Sequence, residues 1–226
     1  MFADRRDAGR RLAERLAAHA SDKPVVLGMP RGGVPVAAEI AERLGAPLDI
    51  IVARKIGCPW QPELALGAIA EGGHRVVDDE LIAATGVDPA ELDEVLRREA
   101  AELARRVERY RAGRAPVPLR DRVVIIVDDG IATGCTARAA IAAIRALGPR
   151  RLVLAAPVAS RSAGRELGSE VDEVVIGSDV PLVFSIGEAY ADFRPTTDDE
   201  VTDLLDLAAE RVASGSAPAA RQEEAR

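Results

Sequence analysis

Five consecutive β-branched residues, Val123-Val124-Ile125-Ile126-Val127, run directly into Asp128-Asp129-Gly130-Ile131-Ala132-Thr133-Gly134-Cys135-Thr136. An apolar run of that length offers no face to water, so it predicts a strand in a parallel sheet covered on both sides. Its carboxylates fall at the carboxyl end, where open α/β sheets bind ligands. The turn after them offers backbone N–H groups and two hydroxyls, from Thr133 and Thr136, around a helix N-terminus. That chemistry suits a phosphate monoester. Adjacent carboxylates suit vicinal sugar hydroxyls, with or without a metal. A phosphate cradle one turn from a diol-binding pair describes a ribose 5-phosphate site. The plainer reading is a capped helix after a glycine turn. Asp78-Asp79 provides an internal control: that pair also follows apolar residues and precedes a helix, but lacks the Thr-Gly-x-Thr turn, and is assigned to capping.

The rest of the chain supplies partners for that strand. Residues 5–20 read as an amphipathic helix, Val25–Met29 as a buried strand, Pro30-Arg31-Gly32-Gly33 as a turn, and Val34–Leu44 as a helix stopped by Gly45. Residues 48–53 form a second buried strand, which completes a strand–helix–strand unit. Gly57, Pro59 and Pro62 make 54–63 a loop, and 66–71 and 74–77 are short strands joined at Gly72-Gly73. Asp88-Pro89-Ala90-Glu91 starts a long charged helix with the stripe Leu92, Leu96, Leu103, Val107 and Tyr110. That helix reads as a solvated face or a subunit contact. After a joint at 112–118 come a strand at 122–127, a helix at 135–147, strands at 152–156 and 171–176, and a helix at 198–212. The expectation is an α/β fold with a central, mostly parallel sheet and helices on both faces. One domain spans 1–212, and a disordered tail follows at 213–226.

Composition narrows the function. The 226 residues carry a formal net charge of −7, which argues against general nucleic-acid binding. No apolar run approaches the roughly 20 residues of a membrane helix, and the start MFADRRDAGRR is charged rather than signal-like, so a cytoplasmic protein is expected. Cys58 and Cys135 form no CxxC pair, and His19 and His74 have no ligand spacing. Lys23 and Lys55 are the only lysines, against 28 arginines. Arg54-Lys55 closes the second strand and reads either as a charge clamp on an anion or as a surface pair. The glycines of Pro30-Arg31-Gly32-Gly33 would let backbone approach an anion beside the Arg31 fork, or simply turn the chain. Phe184, Tyr190 and Phe193 are three of six aromatics. They suit either a planar heterocycle or a small core that docks the last helix. A Rossmann-type nucleotide binder is disfavoured, because neither GxGxxG nor GxxxxGK[ST] occurs.

IIVDDGIATGCT resembles the phosphoribosyl-pyrophosphate (PRPP) motif of type I phosphoribosyltransferases, and LGMPRGGVPVAAEIAERLG resembles their first strand, pyrophosphate loop and following helix. The resemblance covers about residues 24–160, and the whole chain resembles a bacterial group with an unassigned acceptor. It implies transfer of the 5-phosphoribosyl group from PRPP to a small-molecule acceptor nitrogen, with release of pyrophosphate. Regulators that sense PRPP or nucleotides on the same fold are the alternative. It places Asp128 and Asp129 on the ribose hydroxyls and Gly130, Ile131, Ala132, Thr133, Gly134, Cys135 and Thr136 around the 5-phosphate. Pro30, Arg31, Gly32 and Gly33 go to the pyrophosphate, a loop in which the family often has a strained peptide before the glycines. Asp128, Asp129, Arg54 and Lys55 make up the expected catalytic set, and residues 56–63 resemble the family's closing loop. It implies Mg²⁺ held mainly by PRPP, with Asp128 and Asp129 as indirect partners. A hood from about 1–22 and 178–197 would bring Phe184, Tyr190 and Phe193 to the acceptor, and a homodimer is compatible. Cys135 stands where Ala, Gly or Lys is often found, at a position that mainly presents its backbone.

Overall fold

The computed structural model describes residues 1–180 and 185–214. Phe184 and the greater part of the expected tail lie outside them. The elements in chain order are α1 (Arg5–Arg15), β1 (Val25–Gly28), α2 (Gly33–Leu44), β2 (Leu48–Ile50), β3 (Ala53–Cys58), β4 (Gln61–Ala70) and β5 (Arg75–Val77). There follow α3 (Asp79–Thr85), α4 (Pro89–Arg111), β6 (Val123–Val127), α5 (Cys135–Ala146), β7 (Arg151–Ser160), α6 (Arg161–Leu167), β8 (Glu173–Val180) and α7 (Asp198–Ala213).

Five parallel strands in the order β2-β1-β6-β7-β8 form the main sheet. The apolar run is its middle strand, and all five of its residues are buried. Alternation then sorts the side chains. Val123, Ile125 and Val127 pack with α1, α2, α7 and part of α4, whereas Val124 and Ile126 pack with α5 and Leu167 of α6. Two cores thus share one sheet. The expected α/β architecture is the one observed.

Several boundaries differ from the sequence expectation. Residues 54–63 are not a loop: β3 and β4 form an antiparallel hairpin, which β5 extends into a separate three-stranded sheet. Pro59 sits in the turn, and Pro62 falls between the paired residues Gln61 and Ala65, where the register shifts. A proline there removes no ladder bond. Gly57 admits the Pro62 carbonyl, which would lie 2.6 Å from an added Cβ. Strand β7 likewise runs past Pro157 to Ser160, because β6 has already ended opposite Ala155 and Gly177 of β8 leaves room for the Pro157 carbonyl. Ser160 then caps α6, a helix the sequence reading lacks, by accepting from the Ala163 N–H. Helix α1 stops at Arg15, and Ala17–Asp22 continue as a 3-10 turn. Asp78 caps α3, as expected of the control pair.

The start of the chain meets the segment that precedes α7. The Phe2 N–H donates to the Ala189 carbonyl, the Ala191 N–H donates to the Phe2 carbonyl, and the Asp192 N–H donates to the Ala3 carbonyl. This pairing lays the start of the chain beside residues 189–192, over the carboxyl end of β6.

Candidate active site

The site begins where β1 and β6 end side by side. The Met29 N–H donates to the Val127 carbonyl at 2.8 Å, and the Gly33 N–H turns back to the Met29 carbonyl at 3.0 Å. Between them the Pro30–Arg31 peptide is cis. A Cβ on Gly33 would lie 2.5 Å from the Val127 carbonyl oxygen, and one on Gly32 would run into Asp129 Oδ2. The two motifs therefore touch, and the glycines explain how. The anion that Gly32 admits here is the protein's own: the Asp129 carboxylate fills the space.

Asp128 and Asp129 occupy different environments. The Asp128 Oδ1 accepts from the Asp129 N–H at 2.9 Å. Burial, and then the charge of Asp129, push the Asp128 carboxyl well above the usual carboxylate range. Asp129 is balanced by Arg5, whose Nε donates to Oδ2 at 2.7 Å. The Asp129 carbonyl accepts from the Tyr190 hydroxyl at 2.5 Å. Burial and the nearby Asp129 charge raise the pKa of that hydroxyl, which keeps it a donor.

The turn that follows is uneven. Ile131 does not present itself to a ligand: its side chain is buried, its N–H donates to Val158, and its carbonyl accepts from Ser160. Its expected place on the 5-phosphate is corrected, because this residue splices the turn to the end of β7. Gly130 lies under Ile186, which a side chain would meet. Ala132 and Thr133 are exposed, Gly134 takes the left-handed conformation at φ 77°, and Cys135 and Thr136 open α5. Its N-cap is Gly134, and among the described residues no side chain caps this helix, so its first-turn N–H groups keep the capacity to donate. Burial raises the pKa of the Cys135 thiol.

Arg31 is half exposed, and its Nη1 lies 3.6 Å from Asp198 Oδ1 at the start of α7. Asp198 also accepts from the Tyr110 hydroxyl at 2.6 Å and pairs with Arg109 at 3.0 Å. The Tyr110 hydrogen bond, with the neighbouring arginines, holds the Asp198 carboxyl below the usual range. Burial and Asp198 push the Tyr110 hydroxyl up to about 12.

Arg54 and Lys55 do not close the second strand; they lie in β3. The Arg54 Nε donates to Glu99 of α4 at 2.9 Å, so its guanidinium is already neutralised. The Lys55 Nζ reaches Glu63 across the hairpin at 3.2 Å. Both line an opening of about 360 Å³ that Thr136 also borders, which brings them to the start of α5. No ion pair or hydrogen bond joins either to the 30–33 loop among the described residues.

Tyr190 and Phe193 are corrected as stacking surfaces. Tyr190 is buried between Phe2 (centroids 5.5 Å apart) and Phe193 (4.9 Å, stacked), and the Arg5 guanidinium lies 3.9 Å from the Phe193 ring centre. Neither ring keeps an open face, and the small-core reading describes both.

Sequence reasoning missed Arg5, Glu99 and Asp198. Glu99 carried a signal, a lone acid between Val95 and Leu103 on one helical face, where an apolar residue is expected. Arg5 and Asp198 carried none, because their partners lie 124 and 167 residues away along the chain.

Comparisons with known proteins point to one family. A family model described as a phosphoribosyl transferase domain matches residues 4–184. A Mycobacterium tuberculosis H37Rv protein provisionally named a phosphoribosyl transferase is 50% identical over 208 residues, which is 92% of this chain and 47% of that protein. The chain thus spans about half the length of that relative. The bifunctional protein PyrR of Chloroflexus aurantiacus is 33% identical over 158 residues, 69% of this chain and 79% of its own. The crystal structure of TT1426 from Thermus thermophilus is 44% identical, with a TM-score of 0.76 over 90% of this chain and 97% of that one. With the paired carboxylates at the end of β6 seated on the glycine loop after β1, the chain belongs to the phosphoribosyl transferase domain family.

Proposed function

We propose that the protein transfers the 5-phosphoribosyl group of PRPP to a ring nitrogen of a small heterocyclic acceptor and releases pyrophosphate. The observation that carries this reading is the corner itself: two adjacent carboxylates at the end of β6, pressed against the Gly32-Gly33 loop, with an uncapped helix six residues on. Asp128 and Asp129 accept from the ribose hydroxyls. The first-turn N–H groups of α5, with Thr133 and Thr136, take the 5-phosphate, and Arg31 meets the departing pyrophosphate. The acceptor nitrogen forms its bond to C1 as the C1–oxygen bond breaks with inversion, and the electron pair leaves on pyrophosphate. The protein contributes orientation and charge stabilisation rather than covalent chemistry.

The crowded carboxylates fit a cation, since Asp129 disfavours ionisation of Asp128 and a positive charge nearby would relieve that. Among the described residues no group of three His, Cys, Asp or Glu could hold a metal alone. A Mg²⁺ chelated by PRPP would offset charge on the leaving group, with Asp128 and Asp129 as its indirect protein partners. The covered faces of Tyr190 and Phe193 favour a second reading, a PRPP or nucleotide sensor without turnover.

Calorimetry with PRPP and Mg²⁺ tests the donor site. Binding is expected, with Asp129→Asn weakening it roughly ten- to a hundredfold, the range for one lost charge-assisted contact. No binding, or no effect of Asp128→Asn and Asp129→Asn together, rejects the assignment. Pyrophosphate release against a panel of purines, pyrimidines and other nitrogen heterocycles separates the enzyme from the sensor.

A further inference from the structure

Arg5 opens α1, outside both motifs in sequence, yet it makes an enclosed contact at the corner. Its Nε donates to Asp129 Oδ2 at 2.7 Å and its Nη1 donates to the Arg194 carbonyl at 2.8 Å, while the guanidinium lies 3.9 Å from the Phe193 ring centre. Only 12% of the Arg5 side chain and 17% of the Asp129 side chain are exposed. A surface ion pair contributes little because water and salt compete for it. This one is held on two edges and one face, a geometry that a lysine ammonium does not reproduce.

The contacts close into a ring. From the Asp129 carboxylate they pass to Arg5, through the Phe193 ring to Tyr190, and back by the Tyr190 hydroxyl to the Asp129 carbonyl. Both the backbone and the side chain of Asp129 are fixed by the terminal segments. The first turn of helix α1, from which Arg5 projects, is itself capped, since the Asp4 carboxylate accepts from the Asp7 N–H at 2.7 Å. Gly32 supplies the space in which the carboxylate and the guanidinium meet.

We propose that Arg5 is a positioning residue for the sugar-diol contact, setting the direction of the Asp129 carboxylate and linking it to the residue 190–194 segment. One carboxylate oxygen is occupied by Arg5 and the other is left for a ribose hydroxyl. This inference rests on the phosphoribosyl reading above. Arg5 itself touches no reacting atom, so its influence on a donor runs through Asp129.

Calorimetry on the full chain with two probes, Mg²⁺–PRPP and Mg²⁺–pyrophosphate, tests it. Pyrophosphate lacks the diol and serves as the internal control for folding. Arg5→Gln is expected to weaken PRPP about tenfold, the effect of losing one charge-assisted contact, and to leave pyrophosphate within about twofold. Arg5→Lys is expected to recover part of the PRPP loss. Arg5→Gln combined with Asp129→Asn is expected to bind PRPP no more weakly than Asp129→Asn alone. Unchanged PRPP affinity in Arg5→Gln, equal weakening of both probes, or additive losses in the double variant would each overturn the proposal while the donor reading stands. Absence of PRPP binding by the unsubstituted protein overturns both.

Discussion

The β6 corner and the tip of the β3–β4 hairpin both present charged side chains to the candidate site, and they hold them in opposite ways. At the corner, Asp129 and Arg5 are paired with little exposure, wedged over Gly32 and stacked on Phe193. At the hairpin, Lys55 meets Glu63 with 36% and 92% of their side chains exposed. The first pair has a single direction available to it, whereas the second can trade partners with water. Under the proposed transfer reaction, a site that takes up a phosphoribosyl donor uses both kinds of charge: one set preorganised, the other free to follow the ligand.

The sharpest way to break this contrast is Gly32→Ala. The added methyl meets the Asp129 carboxylate, so the corner must open, at a cost of about 1–3 kcal/mol by urea denaturation. A neutral result would mean that the corner is as loose as the hairpin. Asp128→Asn asks a finer question of the ligand-free protein. Folding raises the Asp128 pKa above its unfolded value of about 3.9, so this group's contribution is most favourable below pH 4 and is lost as pH rises through the folded pKa. The amide still accepts from the Asp129 N–H and carries no charge. The variant should melt higher than the unsubstituted protein at pH 7, with the gain fading as pH falls below about 4; a gain independent of pH would assign it to another cause. Glu63→Gln should do least, shifting stability by no more than about 0.5 kcal/mol. A larger loss on urea denaturation would show the hairpin tip to be locked as well.

The same contrast explains what could be read from the residues alone. Val123–Val127, the carboxylates and the helix after them are contiguous, so the strand, the turn at its end and the helix could be inferred together from local pattern. The Gly32-Gly33 loop was legible for a related reason, since it joins a buried strand to a helix. The hairpin was not, because Pro59 and Pro62 read as breakers until the register of β4 shows that neither removes a ladder bond. Pro157 hid the end of β7 in the same manner, and only the facing Gly177 reveals why the strand continues. Within the site, Arg5 and Asp198 escaped notice because ion pairs across the fold leave no spacing behind them. Ile131 misled in the other direction: it sits inside the recognisable motif, yet its backbone is committed to Val158 and Ser160.

The junction of Phe2 with residues 189–191 has a consequence for biosynthesis. A nascent chain that has emerged only through β7 already contains both acidic residues, but Tyr190, Phe193 and the Arg194 carbonyl have yet to leave the ribosome. The opening helix therefore has to wait for residues 190–194 to emerge before Arg5 can be seated between Asp129 and the Arg194 carbonyl, and the β6 corner is finished after most of the sheet that supports it.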